Sequence, residues 1–373
     1  MGEGNVSKGT DGKRLFEVDC VKFFAIIFMV CIHVYEQFGN WDFDKNLPDT
    51  GYRTVMEFLG GPLAAPVFMF CMGIGMIYTS HNTPADFVKR GVKLLFTGYA
   101  LNFVRHTVPI LIGMIIGVKT EYSLIGGLLN VDILPFAGMA FMTVGLMKKL
   151  KISVPGICCI ALIFQAVGIW GTKLKIVSIG IQTLLGLLLP SGRHVAFPLT
   201  LWLVYPAFGM LFGEFLKNTE DKVKLYRRVM IAAAAFFVSY TSALLFVGYD
   251  IRMFFALYEL SYYHQTILST IWILPVVILE LGGCYFLLRK MEEMRAGAFI
   301  RHCSINLNMI YIIQWLLIAY TLAFSILFGA GKTQSPLKLT ALGFLMLTVA
   351  IGIMTLIKKI KRTKIKYEQQ LKN

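Results

Sequence analysis

Hydrophobic residues in this chain come in long blocks rather than in the stripes of a soluble helix. Apolar runs recur near 17–38, 58–80, 87–105, 123–147, 153–171, 195–216, 229–248, 265–288, 304–328 and 338–358. At 1.5 Å rise per residue, about 20 apolar residues match a hydrocarbon core of about 30 Å, so each block predicts a helix that crosses a membrane. Two apolar pieces stand outside the series. Residues 107–118 (TVPILIGMIIGV) are too short to cross comfortably, and 174–190 is bounded by Lys175 and Pro190. Both are expected as re-entrant or interfacial helices. The pattern predicts an all-α polytopic membrane bundle of about ten transmembrane helices.

The first block is the most polar where it should be least so. Asp19 to Glu36 reads DCVKFFAIIFMVCIHVYE and carries Asp19, Lys22, His33 and Glu36. At about 100° per residue these fall at roughly 0°, 300°, 320° and 260°, inside one sector of about 100°. Lys22 and His33 are nearly eclipsed, about 16 Å apart along the axis. Ionisable groups are costly in lipid, so the stripe is expected to face the bundle interior or a wet cavity. A structural reading pairs Asp19 with Lys22 at one interface, with Lys22 snorkelling to the headgroups, and His33 with Glu36 at the other. A chemical reading gives three of them a task. His33 takes a proton from a hydroxyl or amine. Glu36, one turn on, orients the imidazole or stabilises the imidazolium. Lys22 holds phosphates as a point charge.

Composition agrees with a chain that has little soluble mass. It is 57% hydrophobic and 15% charged over 373 residues, against about a quarter charged in soluble domains. The net charge of +15 does not point to nucleic acid, because the basic residues gather in short loops between blocks. Most of the 36 Lys and Arg lie in the segments holding Lys8 to Arg14, Lys89 to Lys93, Lys148 to Lys151, Lys217 to Arg228, Arg289 to Arg301, and the tail from Lys358. The positive-inside rule then predicts that both termini are cytoplasmic. Asp19 and Lys22 fall near the cytoplasmic face, His33 and Glu36 toward the outside. The first block is too long and too polar for a cleaved signal and is read as a retained anchor. The seven cysteines lie mostly in or at the ends of apolar blocks without metal-ligand spacing, and read as small packing residues. No P-loop, zinc motif, dinucleotide fingerprint or soluble catalytic domain is present.

Other polar residues have two readings each. Asp132, beside Asn130, either caps a helix N-terminus or lies near His33 in the wall of an acceptor pocket. Arg105-His106 and Arg193-His194 either anchor the outer interface or bind an anionic group. Tyr99 and Asn102 read as glue between helices. Glu280, near the middle of its block, should be paired. The cluster from Tyr258 through Glu259, Tyr262, Tyr263, His264 and Gln265 is an outer aromatic belt or a sugar-binding surface. Lys89, Arg90 and Lys93 are a topology signal or an attractor of phosphates.

In the first block Asp19, Cys20-Val21, Lys22, ten residues and then His33 resemble the acyltransferase 3 family. There the first helix carries an Asp, two hydrophobic residues, an Arg, ten residues and the catalytic His. Lys22 stands in place of that Arg; it keeps the charge and loses the bidentate fork. Later stretches resemble helices of the wider transmembrane acyltransferase superfamily, which includes the heparan-α-glucosaminide N-acetyltransferase type. They are GGPLAAPVFMFCMGIGM (60–76), NVDILPFAGMAFMTVGLMKKL (130–150) with Pro135 where a Gln is usual, AFPLTLWLVYPAFGMLFGEFL (196–216), and CSINLNMIYIIQWLLI (303–318) with Gln314 where a His is common.

The resemblance implies a transmembrane acyltransferase domain over 15–358, between a cytoplasmic tail of residues 1–14 and a basic cytoplasmic tail of 359–373. It implies acetyl-CoA or a similar acyl-CoA as donor, no metal, and a glycan or envelope-lipid acceptor at a bacterial plasma membrane. His33 is the expected catalytic base and Glu36 its partner. Lys22, Asp19, Lys89 and Arg90 are expected on the donor side; Asp132, Glu259 and His264 on the acceptor side. The rival readings are a multi-pass transporter or flippase, for which a charged stripe is also expected, and an envelope-assembly protein in which His33 is structural.

Overall fold

A computed structural model of the chain describes residues 14–39, 50–117, 123–173, 178–191, 195–257, 262–330, 332–333 and 335–370. Among the described residues the regular structure is helical, apart from the single-pair bridges Gly39–Thr333 and Val131–Val195. The helices are α1 (Phe16–Phe38), α2 (Gly51–Gly60), α3 (Ala65–Tyr78), α4 (Pro84–Asn102), α5 (Val108–Ile115), α6 (Leu124–Leu128), α7 (Ile133–Lys149) and α8 (Val154–Gly171). They continue as α9 (Ile179–Leu185), α10 (Leu199–Trp202), α11 (Val204–Asn218), α12 (Lys222–Phe246), α13 (Ile267–Leu288), α14 (Arg295–Ile305), α15 (Leu307–Leu327) and α16 (Pro336–Gln370).

Eight helical segments among the described residues are long and apolar enough to cross a membrane: Phe16–Phe38, Gly51–Tyr78, Val154–Gly171, Leu199–Asn218, Lys222–Phe246, Ile267–Met291, Leu307–Leu327 and Pro336–Gln370. The blocks expected at 87–105 and 123–147 form α4 and α7. Neither meets that measure, since α4 carries Asp86, Lys89, Arg90 and Lys93 in its first half and α7 has 17 residues.

Polar starts follow side-chain chemistry. Thr83 and Asp86 form a capping box at α4 with Pro84 in the first turn, Ser153 caps α8, and Thr266 with Ser269 boxes the start of α13. Each satisfies backbone N–H groups that have no partner inside the helix.

Two features differ from the pattern reading, and both shape the site. The second span is broken. Helix α2 ends at Gly60, residues 61–64 turn, and α3 resumes at Ala65 with Pro66 in its first turn. The piece 107–118 is not a separate interfacial helix. Through Ile115 it continues α4 across a π-helical turn, Phe103–Thr107, giving a rod of about 48 Å. Pro109 has no N–H for the Arg105 carbonyl and would crowd it in a regular helix. The wider turn accommodates this, with Val108 N–H bonding the Phe103 carbonyl instead.

Helix α1 lies at the centre, in contact with α2, α3, α13, α14, α15 and α16. Helices α4 and α7 pack along each other through small residues. A Cβ on Gly91 would lie 2.6 Å from the Gly138 carbonyl oxygen, and one on Gly138 would lie 2.8 Å from the Gly91 carbonyl oxygen. Such close approach is how membrane helices gain contact where no hydrophobic drive separates them from lipid. It brings the π turn of the rod level with the start of α7.

Candidate active site

The C-terminal half of α1 opens onto a small cavity. Met29, His33 and Glu36 form one wall. Gly60, Ala64 and Ala65, at the break between α2 and α3, form another; Asp132, Ile133, Tyr311, Tyr262 and Tyr263 close it. His33 lies 17 positions beyond Phe16 in α1, about 25 Å along the axis.

His33 is held on two sides. Its Nδ1 faces Gln314 Oε1 at 3.3 Å. An amide oxygen only accepts, so in this arrangement Nδ1 carries the hydrogen and Nε2 keeps its lone pair. The imidazole also stacks on Trp315, with centroids 4.0 Å apart and planes 30° apart, and meets Tyr311 edge-on at 6.4 Å. Tyr311, Gln314 and Trp315 share one face of α15, at i, i+3 and i+4.

Behind this wall lies a buried polar unit. Asp132 caps α7, its Oδ1 accepting the Ile133 N–H at 2.7 Å. Its Oδ2 accepts from Arg105 and from the Tyr311 hydroxyl, each at 2.7 Å. Arg105 also donates to Asn102 Oδ1 at 3.0 Å, and its guanidinium lies 4.1 Å from the centre of the Trp315 ring. Asn102 in turn donates to the Leu128 and Asn130 carbonyls. Asp132 therefore both caps a helix and lines the cavity with His33.

Glu36 contacts a different partner from its helical neighbour His33. It accepts from the Tyr263 hydroxyl at 2.8 Å, while the Tyr262 hydroxyl donates to the Gly61 carbonyl at 3.0 Å. The tyrosines thus tie the segment before α13 to α1 and to the break in the second span.

At the N-terminal end of α1 the pairing differs from the one the stripe suggests. Asp19 takes a two-point contact from Arg14, at 2.5 and 2.6 Å, and a bond from Ser304 at 2.6 Å. Lys22 is half-buried and makes no hydrogen bond or ion pair among the described residues. Between the two ends lies a second, smaller and largely apolar cavity, lined by Ile26, Phe68, Leu134, Leu307 and Asn308. It shares Met29, Ile133 and Tyr311 with the first.

Residues 15–355 match a family model described as an acyltransferase domain. The chain belongs to the acyltransferase 3 family. It is a multi-pass membrane acyltransferase, all-α in architecture. No curated protein and no solved structure matches it.

Within this acyltransferase 3 chain, the residues singled out by the sequence divide by position. His33, Glu36 and Asp132 meet at one cavity. Lys89 and Arg90 are exposed on the first half of α4, where the Arg90 guanidinium lies 4.5 Å from the Phe141 ring centre. His264 is half-buried outside the cavity walls, with no hydrogen-bond partner for Nε2 among the described residues. Tyr258, Glu259, Arg193 and His194 lie outside the described residues. Glu280 has a buried Oε2 without a partner, so the expected pairing is not seen among the described residues. Among these, no group of three or more His, Cys, Asp or Glu is arranged to hold a metal ion.

Arg105, Tyr311 and Trp315 matter more in the fold than the pattern of the chain suggests. Arg105 reads as an interfacial anchor but is buried, at 3% exposure. A signal for this is present: an arginine inside an apolar run that continues for ten residues beyond it has to face protein.

Proposed function

We propose that this acyltransferase moves an acyl group, acetyl by preference, from a cytoplasmic coenzyme A thioester to a hydroxyl or amine of a glycan or lipid of a bacterial envelope. The observation that carries the reading is the pair of adjoining cavities along α1. The inner one is apolar and lies on the side from which a thioester arm would reach His33. The outer one presents His33, Glu36 and Tyr263, the polar and aromatic set that suits a sugar. In this reading residues 15–358 form the acyltransferase domain, both termini are cytoplasmic, and donor and acceptor approach from opposite faces.

His33 is the general base. Its Nε2 takes the proton as the acceptor oxygen or nitrogen attacks the thioester carbonyl carbon. The new C–O or C–N bond forms, the C–S bond breaks, and the proton passes from His33 to the departing thiolate, so no net proton is consumed. Glu36 and Tyr263 hold the acceptor, with Asp132 in the wall beside them; Glu259 and His264 belong to the same outer side. Lys22, Arg90 and Lys89 attract the donor phosphates from the inner side, with Asp19 ordering that end of α1 through Arg14 and Ser304.

The test is a comparison of envelope glycan and lipid masses between a producing strain and one lacking the gene. Loss of acetyl groups from one component supports the reading and names the acceptor. Unchanged acylation of every component, with a solute gradient altered instead, would favour a transporter.

A further inference from the structure

Arg105 is a costly residue to bury, and several elements of the fold combine to do it. A π turn aims it inward, Asn102 and Asp132 bind it, and Trp315 stacks on it. Buried ion pairs seldom stabilise a fold more than packed apolar residues would. This one lies one residue removed from His33 along two routes: Trp315 stacks on both His33 and Arg105, and Asp132 shares the cavity with His33.

We propose that Arg105 is a positioning residue of the acyl transfer, which neutralises Asp132 and steadies Trp315 so that His33 stands as an oriented, uncharged base. The inference rests on the reading of His33 as that base.

The surroundings of His33 leave this task to Arg105. Its own helix offers Glu36, which bonds Tyr263. Helix α7 offers Asp132. Helix α15 supplies Tyr311, Gln314 and Trp315, none of them charged near neutral pH. Helix α2 carries Glu57, already bound by Arg53 and Tyr35, and α3 carries no ionisable side chain but Cys71 and Tyr78. Glu280 of α13 and Arg301 and His302 of α14 belong toward the other end of α1, and Lys338 of α16 is exposed. Without Arg105, the Asp132 carboxylate would face His33 uncompensated. An unpaired carboxylate in the wall of the same cavity favours the imidazolium, which has no lone pair to take a proton.

The experiment reads the protonation of His33 directly and does not need turnover. Diethyl pyrocarbonate modifies the uncharged imidazole, so His33 labelling in the full chain, followed by mass spectrometry against pH, gives the midpoint of its titration. Arg105→Gln should raise that midpoint by about 1 pH unit. Asp132→Asn should lower it, and the double variant should return it close to wild type. Arg105→Lys should keep the midpoint and still lower kcat, because an ammonium keeps the charge without the flat stack. If Arg105→Gln does not fold, Asp132→Asn and Arg105→Lys carry the test. An unmoved midpoint in the charge-removing variants, with turnover still dependent on His33, would overturn the role of Arg105 alone. Thioester turnover that persists in His33→Ala would overturn the base assignment and this inference with it.

Discussion

The His33 imidazole and the Trp315 indole lie face to face, 4.0 Å between centroids and 30° between planes. A ring held this way cannot swing about its χ2 axis, which matters for a base that must meet a proton in one direction. Trp315→Leu should therefore lower kcat by on the order of 10- to 100-fold, since small misplacement of a reacting group is costly. Donor KM should stay close to wild type, because the inner cavity is not lined by Trp315. Steady-state kinetics on purified protein checks both numbers.

Gln314 fixes which nitrogen of His33 is free. Gln314→Leu removes the acceptor for Nδ1–H and should cost about 100-fold in kcat, within the range that general base catalysis supplies. Gln314→His restores an acceptor and should recover most of that loss. Equal activity in the leucine and histidine variants would show that the contact does not set the tautomer.

The Glu36–Tyr263 bond, at 2.8 Å, is assigned by the proposed function to the acceptor side. Tyr263→Phe and Glu36→Leu should raise the acceptor KM several-fold, about 1 kcal/mol for a lost hydrogen bond. Donor KM should hold. A rise in donor KM instead would reverse the assignment of the two cavities.

In the proposed function Lys22 is the donor-side counterpart. With no hydrogen bond or ion pair among the described residues, it is free to meet a phosphate. Lys22→Ala should raise the donor KM, and Lys22→Arg should preserve or improve donor binding. Unchanged donor kinetics in Lys22→Ala would remove the lysine from the mechanism.

Much of this arrangement is legible in the sequence, and the exceptions have physical reasons. The apolar blocks mark helices because lipid demands length and hydrophobicity together. Asp19, Lys22, His33 and Glu36 mark one face because four ionisable groups in a span have to share a shelter. What the pattern hides is anything set by a tertiary partner. Arg105-His106 followed by Pro109 looks like the end of a span, yet the π turn carries the helix past the proline and buries Arg105 against Asp132. Arg53 and Glu57 make the first half of the second span look like a loop, and the bonds that Glu57 accepts from Arg53 and Tyr35 make that half-helix buriable. Arg14 reads as part of a polar tail, so its contact with Asp19 leaves no trace in the pattern, where Lys22 is the natural partner one turn away.

The most direct test of His33 as the base is release of free coenzyme A thiol from acetyl-CoA by purified protein in lipid nanodiscs, with an envelope extract as acceptor, for wild type and His33→Ala. A catalytic His33 predicts a fall of at least about 100-fold in the variant, with an unchanged thermal unfolding midpoint. Thiol release at the wild-type rate by a folded His33→Ala protein would contradict it.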